Sequence, residues 1–263
     1  MIKNQSKLIS IIMPNFDGEK FLDDAIGSVI NQSYTNWELI IIDDASNDSS
    51  LEIINRYTLR DSRIKLNKND HNMGGPAAPR NLGIKSCTGD YIAFIDSDDI
   101  WTKDKLLIQM NLIENSKYAF VSSKKYNFRF NKNKIIKTNK NDIQFKTIDY
   151  QKLIHKNFIY TSSVLISKNL IKSYSFNLDK KYIAVEDYDL WLKILKNECI
   201  NVAIIKQKLI LYRKNNQQSI SRQKIKMAKK ISNIQKQHSK NIAEALYYFC
   251  NYFVKSIANM ITN

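Results

Sequence analysis

Apolar positions in the first hundred residues follow two alternating patterns. Short unbroken apolar runs occupy residues 9–14, 37–43, 91–95 and, more weakly, 64–66. Between them the spacing is helical. Phe21, Leu22, Ala25, Ile26, Val29 and Ile30 recur through 19–30, and Leu51, Ile54 and Tyr57 through 49–57. Residues 76–85 predict a helix with proline near its first turn, and Thr102 is placed to N-cap a helix through Asn111. Apolar runs without alternation mark strands buried on both faces. Strands alternating with helices mark an α/β fold, a mostly parallel sheet with helices on both sides. In such sheets ligands bind beyond the carboxyl ends of the strands.

From about Tyr118 the pattern changes. Residues 126–130 alternate as in an antiparallel strand, and Asn131, Lys132, Asn133 and Lys134 suggest a turn or loop. Residues 161–166 predict a strand, with Ser167 capping a short helix. Leu190, Trp191, Ile194 and Leu195 make 186–195 an amphipathic helix. Residues 202–205 and 209–212 read as two short strands, and the chain beyond Ser221 as helical to its end. The expected organisation is a catalytic domain over 1–221, with a nucleotide-binding half (1–117) and an acceptor-binding half (118–221), then a basic amphipathic helical tail (222–263). In the tail Leu246, Phe249, Cys250, Phe253, Ile257 and Met260 share helical spacing. That stripe suits a helix packed on the catalytic domain or on a second copy, giving a homodimer. It also suits an interfacial helix lying on the anionic inner membrane.

Composition narrows the class. Hydrophobic residues at 43% and charged residues at 25% exclude wholesale disorder. The net charge of +16, from 41 Lys+Arg against 25 Asp+Glu, speaks to partners and not to fold. Nucleic acid, an anionic membrane surface or a phosphorylated substrate would each suit it. The basic residues concentrate at 124–156 and 222–240. Cys87, Cys199 and Cys250 are too scattered for a disulfide framework or a Cys-based zinc site. With no signal-peptide pattern and no apolar run of about 18 residues, the expected location is cytoplasmic or peripheral on the inner face of the cytoplasmic membrane.

The strand ends carry the candidate chemistry. The first ends in Pro14-Asn15-Phe16-Asp17-Gly18, the second in Asp43-Asp44, the fourth in Asp96-Ser97-Asp98-Asp99. Asp96 and Asp98, two residues apart on extended chain, project to one side and repel unless a cation sits near them. Mg²⁺ and Mn²⁺ favour such oxygen ligands together with phosphate oxygens. A carboxylate of Asp43-Asp44 at this edge could accept from a base N–H while Pro14 or Phe16 packs on the base face. Arg80 is placed to reach either a phosphate or the acidic cluster. In Glu186-Asp187-Tyr188-Asp189, acidic residues suit a helix N-terminus for dipole reasons alone, but one of them would also serve as a general base.

Together, Ser10-Ile-Ile-Met-Pro-Asn-Phe, Ile30-Asn-Gln-Ser-Tyr, Ile42-Asp-Asp-Ala-Ser-Asn-Asp, Gly74-Gly-Pro-Ala-Ala-Pro-Arg-Asn, Phe94-Ile-Asp-Ser-Asp-Asp-Ile-Trp, Glu186-Asp-Tyr-Asp-Leu-Trp and Tyr212-Arg resemble glycosyltransferase family 2. These are inverting enzymes with the Rossmann-like GT-A fold, many of the bacterial surface-polysaccharide type. The resemblance implies a UDP-sugar donor, a Mn²⁺ or Mg²⁺ cofactor and a saccharide or lipid-linked glycan acceptor. It implies that Pro14 and Phe16 line the uracil pocket, with Asp17 beside it, and that Asp44 pairs with uracil. Asp96 would sit near the ribose and the metal, with Ser97 and Arg80 among the nucleotide contacts. Asp98 would hold the metal, Asp187 would be the base, and Arg213 would lie near the diphosphate. The implied product is a β-glycoside in surface polysaccharide, lipopolysaccharide or capsule. Two positions depart from the family pattern: Phe16 stands where Tyr is usual, and Asn215 where a His often supplies a further metal ligand.

Two other classes compete. A nucleotidyltransferase would also use paired aspartates, but gives no role to Glu186-Asp187. A basic nucleic-acid-binding protein would explain the charge, but its phosphates would be repelled by the acidic strand ends. No Gly-x-Gly-x-x-Gly follows the first strand, which disfavours a dinucleotide oxidoreductase.

Overall fold

The apolar runs become strands because each has a core on both sides. Strand β1 (Ile9–Asn15) is buried at every position, and so is β2 (Trp37–Asp43). Successive side chains of a strand point to opposite faces, and the two cores divide accordingly. Ile12, Ile40, Ile42, Ile92 and Phe94 belong to one, and Ile11, Met13, Leu39, Ile41 and Ala93 to the other. The computed structural model describes residues 6–128, 136–213 and 220–261, with side-chain surroundings given outside 220–226 and 252–261. The expected turn at 131–134, Asn215 and the side chains of Phe253, Ile257 and Met260 lie outside the described residues.

In chain order the first half runs β1, α1 (Leu22–Ile30), β2, α2 (Ser50–Thr58), β3 (Ile64–Lys68), α3 (Ala77–Ser86), β4 (Tyr91–Phe94), β5 (Ile100–Trp101) and α4 (Lys105–Glu114). It continues with β6 (Phe120–Phe128), β7 (Phe145–Ile148), α5 (Tyr150–Leu153), β8 (Leu165–Ser167), α6 (Lys168–Ile171), α7 (Glu186–Asn197), β9 (Val202–Arg213), α8 (Ile220–His238) and α9 (Ile242–Ile261). The sheet order is β3-β2-β1-β4-β8-β6-β9-β5, with β7 also on β9. The first four strands are parallel, and β9 runs parallel to β6. Strand β8 is antiparallel to β4 and to β6, and β5 and β7 are antiparallel to β9. Asn15 is level with Asp43, and Ile12 with Phe94. The ends of β1, β2 and β4 therefore open on one edge.

Several elements differ from the sequence reading. The strand expected at 126–130 begins at Phe120, and its long pairing is parallel, to β9. Only Phe120 and Val121 pair antiparallel, with β8. The two short strands at 202–205 and 209–212 are one: Lys206 to Lys208 interrupt the burial, and the pairing with β6 shifts register there, but the strand continues through them. Thr161–Ser163 form a 3-10 turn, not strand. Thr102 does not cap α4: its hydroxyl donates to the Leu209 carbonyl at 3.1 Å, and Asp104 holds the cap position. Ser167 does precede α6, without a side-chain capping bond. Strand β7 and helix α5 were not anticipated.

The tail forms two helices, and its described part packs on the preceding elements, sharing one of the two cores. Ile231 and Ile234 of α8 are buried, and Gln235 Nε2 donates to the Ile154 carbonyl at 2.9 Å. Among the described side chains of α9, Ala245 and Tyr248 are buried, while Leu246 is 57% exposed. Over the described part of α9 the inward positions are thus offset from the stripe expected through Leu246. No helix among the described residues is long and apolar enough to cross a membrane.

Candidate active site

The turn after β1 is built around Asn15. Its Nδ2 donates to Asp43 Oδ1 at 2.8 Å and to Ser46 Oγ at 3.1 Å, tying the ends of β1 and β2 together. Gly18 is required here: a Cβ on it would meet Asn15 Oδ1 at 2.2 Å. Asp17, at φ 48°, accepts the Asn47 amide at 2.8 Å, so its carboxylate spans the two turns beside the cleft. Asp44 is buried, and accepts from Asn69 Nδ2 at 2.7 Å and from the Met73 amide at 2.9 Å. These bonds fix the approach to Gly74 and Gly75, both at positive φ.

A cleft of about 620 Å³ opens on this edge. Pro14, Phe16, Asp44, Arg80, Asp96, Ser97 and Asp98 all line it. Phe16 is 48% exposed, which leaves an aromatic face available for stacking. Asp17, Asp187 and Arg213 are not in the lining. Arg213 holds the acidic turn from behind. Its amide donates to Asp99 Oδ1 and its Nε to the Asp98 carbonyl, both at 3.1 Å. Its guanidinium stacks on Phe21 and Phe128 and lies 3.8 Å from Asp24.

The acidic turn suits a divalent cation. Burial, and then the charge of Asp96, push the Asp98 carboxyl up to about 6. Asp99, fully buried, is pushed well above the carboxylate range by burial and by Asp96 and Asp98. A cation between Asp96 and Asp98 would relieve this repulsion. Among the described residues no three His, Cys, Asp or Glu side chains converge as a metal cage. Two carboxylates completed by water and phosphate oxygens match Mg²⁺ or Mn²⁺ better than a structural zinc.

Arg80 joins this turn to the last acidic cluster. It is buried, and donates from Nη2 to Asp96 Oδ1 at 2.6 Å and from Nη1 to Glu186 Oε1 at 3.0 Å. Burial works against its charge, but Asp96 and Glu186 outweigh that and hold its pKa above the usual value. Glu186 is thus a partner of Arg80, more than a dipole-stabilising residue at the start of α7. Beside it, Asp187 accepts from Thr161 Oγ1 at 2.9 Å and from the Tyr188 amide at 2.7 Å. Burial, and then Glu186, push the Asp187 carboxyl up to about 6.

Thr161, Tyr212 and the Gly74–Gly75 turn were not singled out from the sequence as site residues. Tyr212 lines the cleft, and burial plus the surrounding carboxylates push its hydroxyl up. The adjacent glycines carried a turn signal. Thr161 carried none, because its role depends on meeting Asp187 across 26 residues.

Residues 10–175 match the family model for glycosyl transferase family 2. The UDP-Glc:alpha-D-GlcNAc-diphosphoundecaprenol beta-1,3-glucosyltransferase WfgD of Escherichia coli is 34% identical over 256 residues, 95% of this chain and 94% of its own. WfaP of Escherichia coli, described by the same activity, is 35% identical over 192 residues, 72% of this chain and 70% of its own. Among solved structures, S. aureus TarS 1-349 in complex with UDP superposes with a TM-score of 0.68 at 18% identity, over 93% of this chain and 70% of that one. The mannosyltransferase PcManGT from Pyrobaculum calidifontis, in complex with GDP-Man and Mn²⁺, gives 0.67 at 14% identity, over 94% of this chain and 69% of that one. These likenesses establish the GT-A fold. With the ordered motifs converging on one sheet edge, the chain belongs to glycosyltransferase family 2.

Proposed function

We propose that this glycosyltransferase moves a hexose or N-acetylhexosamine from a UDP-sugar to a hydroxyl of a saccharide carried on a lipid diphosphate. The bond formed is β, and the product serves bacterial surface-polysaccharide assembly. The observation that carries the reading is the Arg80 bridge, which couples the Asp96-Ser97-Asp98 turn to Glu186-Asp187. The names of WfgD and WfaP support UDP-glucose as donor and an N-acetylglucosaminyl diphospholipid as acceptor.

In this mechanism Phe16 and Pro14 pack on the uracil face, and Asp44 accepts from its N–H. Asp98, with Asp96, would hold Mn²⁺ or Mg²⁺, which as a Lewis acid neutralises charge on the departing diphosphate when bound. Asp187 accepts the proton of the acceptor hydroxyl. The freed oxygen attacks the anomeric carbon from the face opposite the diphosphate. The bond from that carbon to the diphosphate oxygen breaks, and UDP departs with the electron pair. The proton ends on Asp187, and an α-linked donor yields a β-glycoside. A carboxyl near 6 is a stronger base than an ordinary one and is still ionised at pH 7.

The test is a panel of UDP-sugars with Mn²⁺ and a synthetic N-acetylglucosaminyl diphosphate ester. UDP release and the anomeric configuration of the product are followed. A β-linked disaccharide is expected from one donor. An α-linked product, or no turnover of any UDP-sugar, would overturn the reading.

A further inference from the structure

A second cavity, of about 80 Å³, adjoins the donor cleft, and the two share Gly74, Gly75 and Pro76 as a wall. Glu186, the chain neighbour of Asp187, lines it, whereas Asp96, Ser97 and Asp98 do not. Three exposed apolar side chains bound it: Met73 at 46%, Leu178 at 61% and Ile183 at 40%. An exposed apolar residue alone needs no explanation. Three around one cavity at an active site form a patch, and such patches mark binding surfaces.

The exposure is built into the loop. Phe176 and Tyr182 are buried and anchor its two ends. Asn177 Oδ1 accepts the Asp179 amide, and Asp179 Oδ1 the Lys181 amide, both at 3.0 Å. Lys230 on α8 donates to the Ile183 carbonyl at 2.6 Å, and Ala184 stands at φ 70°. Leu178 and Ile183 are thereby held outward. Lys180 also lines the cavity. Lys181 is paired with Asp179 at 2.9 Å, whereas Lys180 makes no ion pair with the described residues.

We propose that this rim receives the lipid diphosphate end of the acceptor. Lys180 meets the diphosphate, and Met73, Leu178 and Ile183 meet the first isoprenoid units. Charge and apolar surface occur here in the combination that such a ligand carries, beside the residue that would deprotonate its sugar. The inference rests on the acceptor reading given above.

The test compares two acceptors, the N-acetylglucosaminyl diphosphate esters of a long-chain alcohol and of methanol. The wild-type enzyme should favour the long-chain ester in kcat/KM by about tenfold or more, since burying apolar chain is favourable. The double variant L178S/I183S should lose that preference, with its kcat/KM for the methyl ester within about twofold of wild type, since both positions are exposed. Lys180→Gln should raise KM for both esters alike. An unchanged chain-length preference in the double variant, or none in the wild type, would overturn the proposal. If the wild type used neither ester yet hydrolysed UDP-sugar, the acceptor reading itself would fall and the proposal with it. That outcome is distinct from failure of the rim alone.

Discussion

Arg80 and Glu186 meet at 3.0 Å in the interior, 106 residues apart in the chain. The same guanidinium holds Asp96 at 2.6 Å, so one side chain sets the spacing between the acidic turn and the start of α7. Removing it leaves Glu186 buried and unpaired. Arg80→Ala should cost about 3–5 kcal/mol of stability, read as a lowered denaturation midpoint. Arg80→Lys keeps the charge but not the two-armed geometry. It should fold and lose most of its transfer rate, which a turnover assay on the folded variant would check.

Asp187→Asn should lower kcat by about 10²–10⁴, the usual contribution of a positioned base. UDP affinity should be unchanged, because Asp187 does not line the cleft proposed for the nucleotide. Calorimetry with UDP, beside a transfer assay, separates the two effects. Wild-type transfer with this variant would mean that another group takes the proton.

The pH profile of the Mn²⁺-loaded enzyme should fall on the acid side with a midpoint near 6, where Asp187 takes up a proton. An acid limb centred near 4 would contradict the environment described for Asp187.

Asp98 should trade stability for binding. Its folded pKa lies above its unfolded value of 3.8, so the cost of ionising it is absent below about 4 and complete above about 6. Without metal at pH 7, Asp98→Asn should therefore stabilise the protein by about 1–2 kcal/mol, allowing for partial exposure. Mn²⁺ should raise the Tm of the wild type through linkage and leave that of the variant unchanged. Thermal scans with and without MnCl₂ give both readings.

Phe16 and Asp44 should separate binding from folding. Phe16→Ala removes a half-exposed ring and should change stability by no more than about 0.5 kcal/mol, while UDP affinity falls several-fold. Asp44→Ala also frees Asn69 and the Met73 amide, so stability and affinity should fall together. Denaturant melts and UDP titrations of the two variants check the contrast.

Much of this arrangement was legible in the chain because its causes are local. Ile11 and Ile12, or Ile41 and Ile42, are adjacent apolar residues that go to opposite cores, so an unbroken run already implies cover on both faces. Carboxylates directly following such runs had to emerge at one sheet edge. What could not be read depends on meetings across the chain. The pairing of β6 with β9 links residues some eighty positions apart, and Lys206 to Lys208 obscured a single long strand. Arg80 left two partners open in the sequence, a phosphate or the acidic cluster. The fold shows its guanidinium engaged with Asp96 and Glu186 while it also lines the cleft. The backing role of Arg213 needed Phe21, Asp24 and Phe128 brought to one place.

The most direct measurement is calorimetric titration of UDP into the wild type and Asp98→Asn, each with Mn²⁺ and with EDTA. The account predicts that Mn²⁺ tightens UDP binding to the wild type by at least about tenfold, about 1.4 kcal/mol, and has no such effect on the variant. Equal affinity of the wild type in Mn²⁺ and in EDTA would contradict a diphosphate gripped through a cation at the acidic turn.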